Sequence, residues 1–135
     1  MSTPDRIHPP MRTPTTPSPV GRGEPIGFVG LGAMGEPMAR WLLSRGWGVL
    51  VHDLNAAGLG RVVEQGGQRV TSLREMASRA SVIFTCLPSL YALEAVILGE
   101  DGLQAGDRVR TIVDFSTTGA NFAAGMAKSL QARGI

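Results

Sequence analysis

The chain has 135 residues, a formal net charge of +2 and 43% hydrophobic residues, enough for one compact domain and little more. Its arginines are scattered and the net charge is small, which argues against nucleic acid as a partner. A single cysteine, Cys86, excludes an intrachain disulfide framework and a multi-cysteine metal site, and no apolar run approaches the roughly 20 residues that span a bilayer.

Residues 1–25 hold seven of the nine prolines (Pro4, Pro9, Pro10, Pro14, Pro17, Pro19 and Pro25) and almost no branched aliphatics. Such a segment buries too little apolar surface to offset its ordering entropy, so a disordered tail over residues 1–25 and a folding unit over residues 26–135 are expected. The tail has no apolar signal-peptide core, and the lone thiol fits a reducing compartment; a cytoplasmic location follows as an expectation.

Residues 26–29 are a short apolar run that reads as a buried strand. Residues 34–45 then switch to helical period. Met38, Ala39, Leu42 and Leu43 share a face, Pro37 falls in the first turn and Gly46 supplies the stop. A second strand is expected over residues 49–53, then a helix over 55–65 with Asn55 as N-cap. A short third strand over 68–71 precedes a helix over 72–79, where Ser72 and Glu75 have capping-box spacing. Residues 81–86 read as the fourth strand, with Pro88 at its exit, and residues 90–98 as a helix. A polar, glycine-bearing loop over 99–110 leads to a fifth strand over 111–115 and a closing helix that reaches residue 133. Alternation of apolar strands with helices predicts a parallel sheet covered on both faces: a Rossmann-type, doubly wound α/β fold.

Between the first strand and first helix, Gly30-Leu31-Gly32-Ala33-Met34-Gly35 completes the pattern G-x-G-x-x-G. Gly30 permits the tight turn, Gly32 lets backbone approach a pyrophosphate, and Gly35 allows close helix–strand packing. Amides at the helix start then face the phosphates. Asp53 closes the second strand, where a carboxylate accepts hydrogen bonds from the adenosine ribose. A 2′-phosphate would meet it as a like charge, and Leu54 rather than an arginine follows. NAD is therefore expected as cofactor, with NADP second.

The segment FVGLGAMGEPMA, residues 28–39, resembles the signature of the 3-hydroxyisobutyrate dehydrogenase family, the β-hydroxyacid dehydrogenases related to 6-phosphogluconate dehydrogenase. Cys86-Leu87-Pro88-Ser89 resembles that family's loop after the fourth strand, and Asp114-Phe115-Ser116-Thr117 resembles its D-x-S-T motif. The resemblance runs from about residue 25 onward. It implies cofactor contacts at Gly30, Leu31, Gly32, Ala33, Met34, Gly35, Asp53, Asn55, Leu87, Pro88 and Thr117, with Ser116 at the edge of the substrate site. It also implies hydride transfer between a nicotinamide and a 3-hydroxy acid or related semialdehyde. Taken alone, Leu87-Pro88 reads as a strand exit and Ser116-Thr117 as a helix N-cap.

Two positions depart from the family. Trp41 stands where the family commonly has Asn, and Thr118-Gly119-Ala120 follows D-x-S-T where the family continues toward a proline. Family members also run on through a sixth strand into a helical domain that carries the catalytic lysine; Lys128 matches no such position and reads as solvated. The expectation is an incomplete dinucleotide-binding domain with no catalytic residue and no metal, inactive by itself as a dehydrogenase. A small hydroxy acid would be a partner only of a longer form, and neither nucleic acid nor membrane is expected. A fifth strand at the sheet edge, with Ile112, Val113 and Phe115 poorly covered, invites self-association. Two other readings stay open: a stand-alone, non-catalytic NAD-binding or interaction module, and the N-terminal part of an imine reductase-like enzyme.

Overall fold

A computed structural model of the chain describes residues 23–135; the proline-rich segment up to residue 22 lies outside them. Strand β1 (Ile26–Val29) is buried along its whole length, as expected for an apolar run inside a parallel sheet. It leads into helix α1 (Gly35–Ser44), strand β2 (Val49–His52), helix α2 (Ala56–Glu64) and the two-residue strand β3 (Gln68–Arg69). Helix α3 (Leu73–Arg79), strand β4 (Val82–Thr85), helix α4 (Leu90–Leu98), strand β5 (Thr111–Asp114) and helix α5 (Ala120–Gln131) follow. The element order is the one the periodicity predicts, with ends shifted by a residue or two.

The strands form one five-stranded sheet in the order β3-β2-β1-β4-β5, with every pairing parallel. The chain builds outward from β1 to β3, then crosses back to place β4 on the other side of β1. That reversal leaves a crevice beyond the carboxyl ends of β1 and β4, which is where ligands lie in open α/β sheets.

Each sheet face has its own core. Helices α1 and α2 cover one face, where Phe28, Leu31, Ala39, Leu42, Val51 and Val62 pack together. Helices α3, α4 and α5 cover the other, around Leu50, Met76, Ile83, Leu93 and Ile97. On α1, Ala39 and Leu42 are buried while Arg40, Ser44 and Arg45 are exposed, as the helical pattern requires.

Residues 99–110 are more than a polar loop. A 3₁₀ turn (Leu103–Ala105) lies within them, and Leu103 and Val109 are fully buried. The amides of Arg108 and Val109 both donate to the Ala77 carbonyl. Two isolated apolar residues have no period, so the sequence could not show that this connection is fastened into the core. Upstream of β1, Glu24 pairs with Arg108 at 3.0 Å. Hydrogen bonds from Ser81 and Arg108 hold the Glu24 carboxyl below the usual carboxylate range.

Two measurements test this packing. A Cβ on Gly35 would overlap the Gly30 carbonyl, so Gly35→Ala is expected to cost about 1–3 kcal/mol as overpacking. The readout is a lowered urea midpoint, and an unchanged midpoint would contradict the close approach. His52, at the end of β2, is half-buried, and burial pushes its pKa below the ordinary 6.5 against the opposing charge of Asp53. The unfolded chain then binds a proton at higher pH than the folded one. Stability is therefore full above pH 6.5 and falls as the pH drops from there through the folded value. Glu24, Glu36 and Glu75, all lowered from 4.5, act only in a more acid window. Melting temperatures of the parent should decline on acidification through the upper window, and His52→Gln should flatten that decline. Identical slopes would rule out the histidine as its source.

Candidate dinucleotide-binding site

The turn after β1 is dictated by crowding. Gly30 has φ +96°, and a Cβ there would overlap the Cys86 carbonyl as β4 passes alongside; its amide donates to the His52 carbonyl at 3.2 Å. Nothing lies within 4 Å of the Cβ position of Gly32, and Gly32, Ala33 and Met34 are all exposed. Helix α1 has Met34 at its N-cap and no side-chain cap bond, whereas α2, α3 and α4 are capped by Asn55, Ser72 and Ser89. The first amides of a helix lack intrahelical acceptors and carry a partial positive charge. Here the Glu36 amide donates to the Gly32 carbonyl at 3.0 Å, and the exposed Gly32, Ala33 and Met34 lie ahead of it, a geometry suited to an anion.

An acid in that first turn would repel the same anion. Glu36 is instead gripped by Arg61 of α2 through two bonds, of 2.7 and 2.9 Å. The Arg61 guanidinium holds the Glu36 carboxyl below its ordinary range and is itself shifted upward in return. The pair also ties α1 to α2.

Asp53, just beyond β2, faces the glycine turn. Its Oδ2 accepts from the Leu31 amide at 2.5 Å and its Oδ1 from the Asn55 amide at 2.8 Å. Each oxygen keeps a lone pair for a further donor such as a ribose hydroxyl. The Asn55 side chain is occupied in capping α2, accepting from the Ala57 amide at 3.0 Å. Leu54 projects into solvent, 96% exposed, so no cation stands at that position. Sequence reading missed Gly58: a Cβ there would lie 2.5 Å from the Leu31 carbonyl, so α2 presses directly on the glycine turn. The only available signal was a glycine inside a helical stretch.

The loops after β4 and β5 close the other side. The Leu87 amide donates to Ser116 Oγ at 2.9 Å, and the Ser116 amide donates to Asp114 Oδ1 at 3.1 Å. Ser116 and Thr117 do not cap α5, whose N-cap is Gly119 with no side-chain bond; the Ser116 hydroxyl serves the neighbouring loop instead. Thr85 Oγ1 donates to Asp114 Oδ1 at 2.9 Å. Neither Thr85 nor Asp114 stood among the expected site residues, because a threonine within an apolar strand carries no local signal of a partner on the next strand. Pro88 and Thr117 are exposed at the crevice and Leu87 is partly covered. Burial, with the Asp114 charge adding to it, pushes the half-buried Cys86 thiol upward.

Every expected cofactor residue thus falls after the carboxyl end of β1, β2, β4 or β5. Lys128 is exposed on α5. Among the described residues, no three or more His, Cys, Asp or Glu side chains converge as metal ligands, and no helix is long and apolar enough to cross a membrane.

Comparison with known proteins agrees with this geometry. The family described as the NAD binding domain of 6-phosphogluconate dehydrogenase matches residues 25–135. A 2-(hydroxymethyl)glutarate dehydrogenase of Eubacterium barkeri is 40% identical over 111 residues, which are 82% of this chain and 37% of that protein. Among solved structures, the Mycobacterium tuberculosis 3-hydroxyisobutyrate dehydrogenase superposes with a TM-score of 0.74 at 26% identity, covering 82% of this chain and 38% of that one. An imine reductase from a Pseudomonas species does so with a TM-score of 0.70 at 25% identity, covering 82% and 38%. The chain therefore spans little more than a third of the length of the curated relatives it matches. By the match over residues 25–135 and the parallel sheet that carries it, this chain belongs to the 6-phosphogluconate dehydrogenase-like family of β-hydroxyacid dehydrogenases, as its NAD(P)-binding domain.

Proposed function

We propose that the domain binds NAD extended across the crevice and serves a dehydrogenase acting on a 3-hydroxy acid or related semialdehyde. The phosphates lie on the amides of Gly32, Ala33 and Met34 at the uncapped start of α1, with Gly30, Leu31 and Gly35 shaping the turn. The adenosine ribose lies at Asp53 beside Asn55, and the nicotinamide half lies over Leu87, Pro88 and Thr117. Ser116 stands at the edge of the substrate position. The observation that carries this reading is the Asp53 carboxylate, bonded to the Leu31 amide beside an uncapped helix start. Such an arrangement offers an acceptor for hydroxyls and donors for phosphates side by side.

Preference for NAD over NADP follows from charge. Two like charges about 4 Å apart near a protein surface repel by roughly 4 kcal/mol before salt screening, and exposed Leu54 offers no cation against it. Bound NAD would supply the hydride acceptor. The chain's own residues bind and orient it; none is assigned a catalytic role, the proton-handling lysine being implied for a longer form. The 40% identity to a hydroxy-acid dehydrogenase supports this reading over imine reduction. A cytoplasmic location belongs to the same proposal and is supported by the lone free thiol of Cys86.

Self-association is the second part of the proposal. Strand β5 is an edge of the sheet, and Phe115 beside it is 47% exposed. Pro37, Met38, Trp41, Leu42, Phe84 and Phe115 line an open apolar groove of about 350 Å³ next to that edge. An unpaired edge flanked by apolar surface is a template for another chain.

Titration calorimetry is expected to show NAD bound about tenfold or more tighter than NADP, a gap that corresponds to about 1.4 kcal/mol. Asp53→Ala should weaken NAD and narrow the gap; unchanged NAD binding by that variant would overturn the assignment. In sedimentation velocity the chain should show concentration-dependent species larger than one copy, whereas a clean monomer at every concentration would refute self-association.

A further inference from the structure

Among the described residues, Thr85 is the buried polar side chain, with none of its surface exposed. A hydroxyl there is accommodated because it donates to Asp114 Oδ1 at 2.9 Å. Thr85 and Asp114 are register partners on β4 and β5. The same Asp114 oxygen accepts from the Ser116 amide, and Ser116 Oγ in turn accepts from the Leu87 amide. One chain of bonds thus runs from the sheet interior into both loops that close one side of the crevice. Stability alone does not call for it: apolar residues at buried position 85 and exposed position 114 would leave no buried donor unpaired. They would, however, leave the loops at 86–89 and 115–119 without their common anchor.

We infer that Thr85 and Asp114 are positioning residues for the nicotinamide half of the dinucleotide, holding Leu87 and Ser116 at one spacing and so setting the seat between them. The inference rests on the reading that the cofactor lies across the crevice. With the adenosine at Asp53 beyond β2, the other half falls beyond β4 and β5. Among the described residues no hydrogen bond joins the relay to Asp53, Leu31 or the start of α1, which sets it apart from the adenosine half.

The test compares NAD with ADP-ribose, which shares the adenosine and phosphates but lacks the nicotinamide, by calorimetry on the full chain. Thr85→Val and Asp114→Ala are each expected to weaken NAD about tenfold, roughly the net contribution of a hydrogen bond to a charged group, and to leave ADP-ribose unchanged. Thr85→Ser and Asp114→Asn, which keep the donor and the acceptor, should bind both ligands like the parent. Should Thr85→Val fail to fold, Asp114→Ala at the exposed end of the relay carries the comparison. Equal losses for both ligands, or no loss for either, would overturn the positioning role while leaving the cofactor reading intact. A parent chain that binds neither ligand would bring down the cofactor reading itself, and this inference with it.

Discussion

One crowded point holds the domain together: the Gly30 carbonyl lies where a side chain on Gly35 would be, and the Cys86 carbonyl lies where one on Gly30 would be. Strand β1, helix α1 and strand β4 meet there at backbone-to-backbone distance. Because β1 turns so sharply, α1 starts directly above the sheet and points its positive end over the crevice. Because β4 passes so close, the topological reversal between β1 and β4 forms a narrow floor. Gly58 extends the same constraint to α2, which rests on the Leu31 carbonyl. Any side chain at these positions separates elements whose proximity is the site.

Around that point the start of α1 differs from those of the helices that follow it. Helices α2, α3 and α4 are capped by the side chains of Asn55, Ser72 and Ser89, while no side chain caps α1. The acid of its first turn, Glu36, is neutralised by Arg61 across two bonds. The remaining carboxylate, Asp53, spends one lone pair of each oxygen on backbone amides. Those bonds orient it and leave each oxygen a lone pair for a further donor.

The two faces of the sheet differ in how completely they are covered. On one, α3, α4 and α5 pack over Ile83 and Ile112. On the other, the edge-to-face series Phe28, Phe84, Phe115, with ring centroids 5.9 and 5.4 Å apart, runs from the core out to a half-exposed ring. Trp41, 57% exposed, borders the same groove, with the Arg45 guanidinium over its ring at 5.2 Å. Trp41 thus lies on the open side of α1, next to Leu42 in the groove and away from buried Ala39.

Most of the fold was legible because it is written in local chemistry. Apolar runs of strand length, helical period, Asn55 and Ser72 before helices, and three glycines at fixed spacing are each readable without knowing what they touch. Even there, contacts redirected details. Glu75 reaches back to the Thr71 amide rather than to Ser72, and Ser116, legible as a cap, turns out to anchor Leu87. The sequence by itself determined the order of elements, the parallel sheet and the glycine turn after β1, since these depend on neighbours within a few residues. Only the tertiary structure decided that Thr85 and Asp114 form a pair, that Gly58 presses on Leu31, and that Leu103 and Val109 fasten a polar loop to the core. Each of those joins residues far apart in the chain through one or two contacts, and an isolated residue has no periodicity to announce its partner.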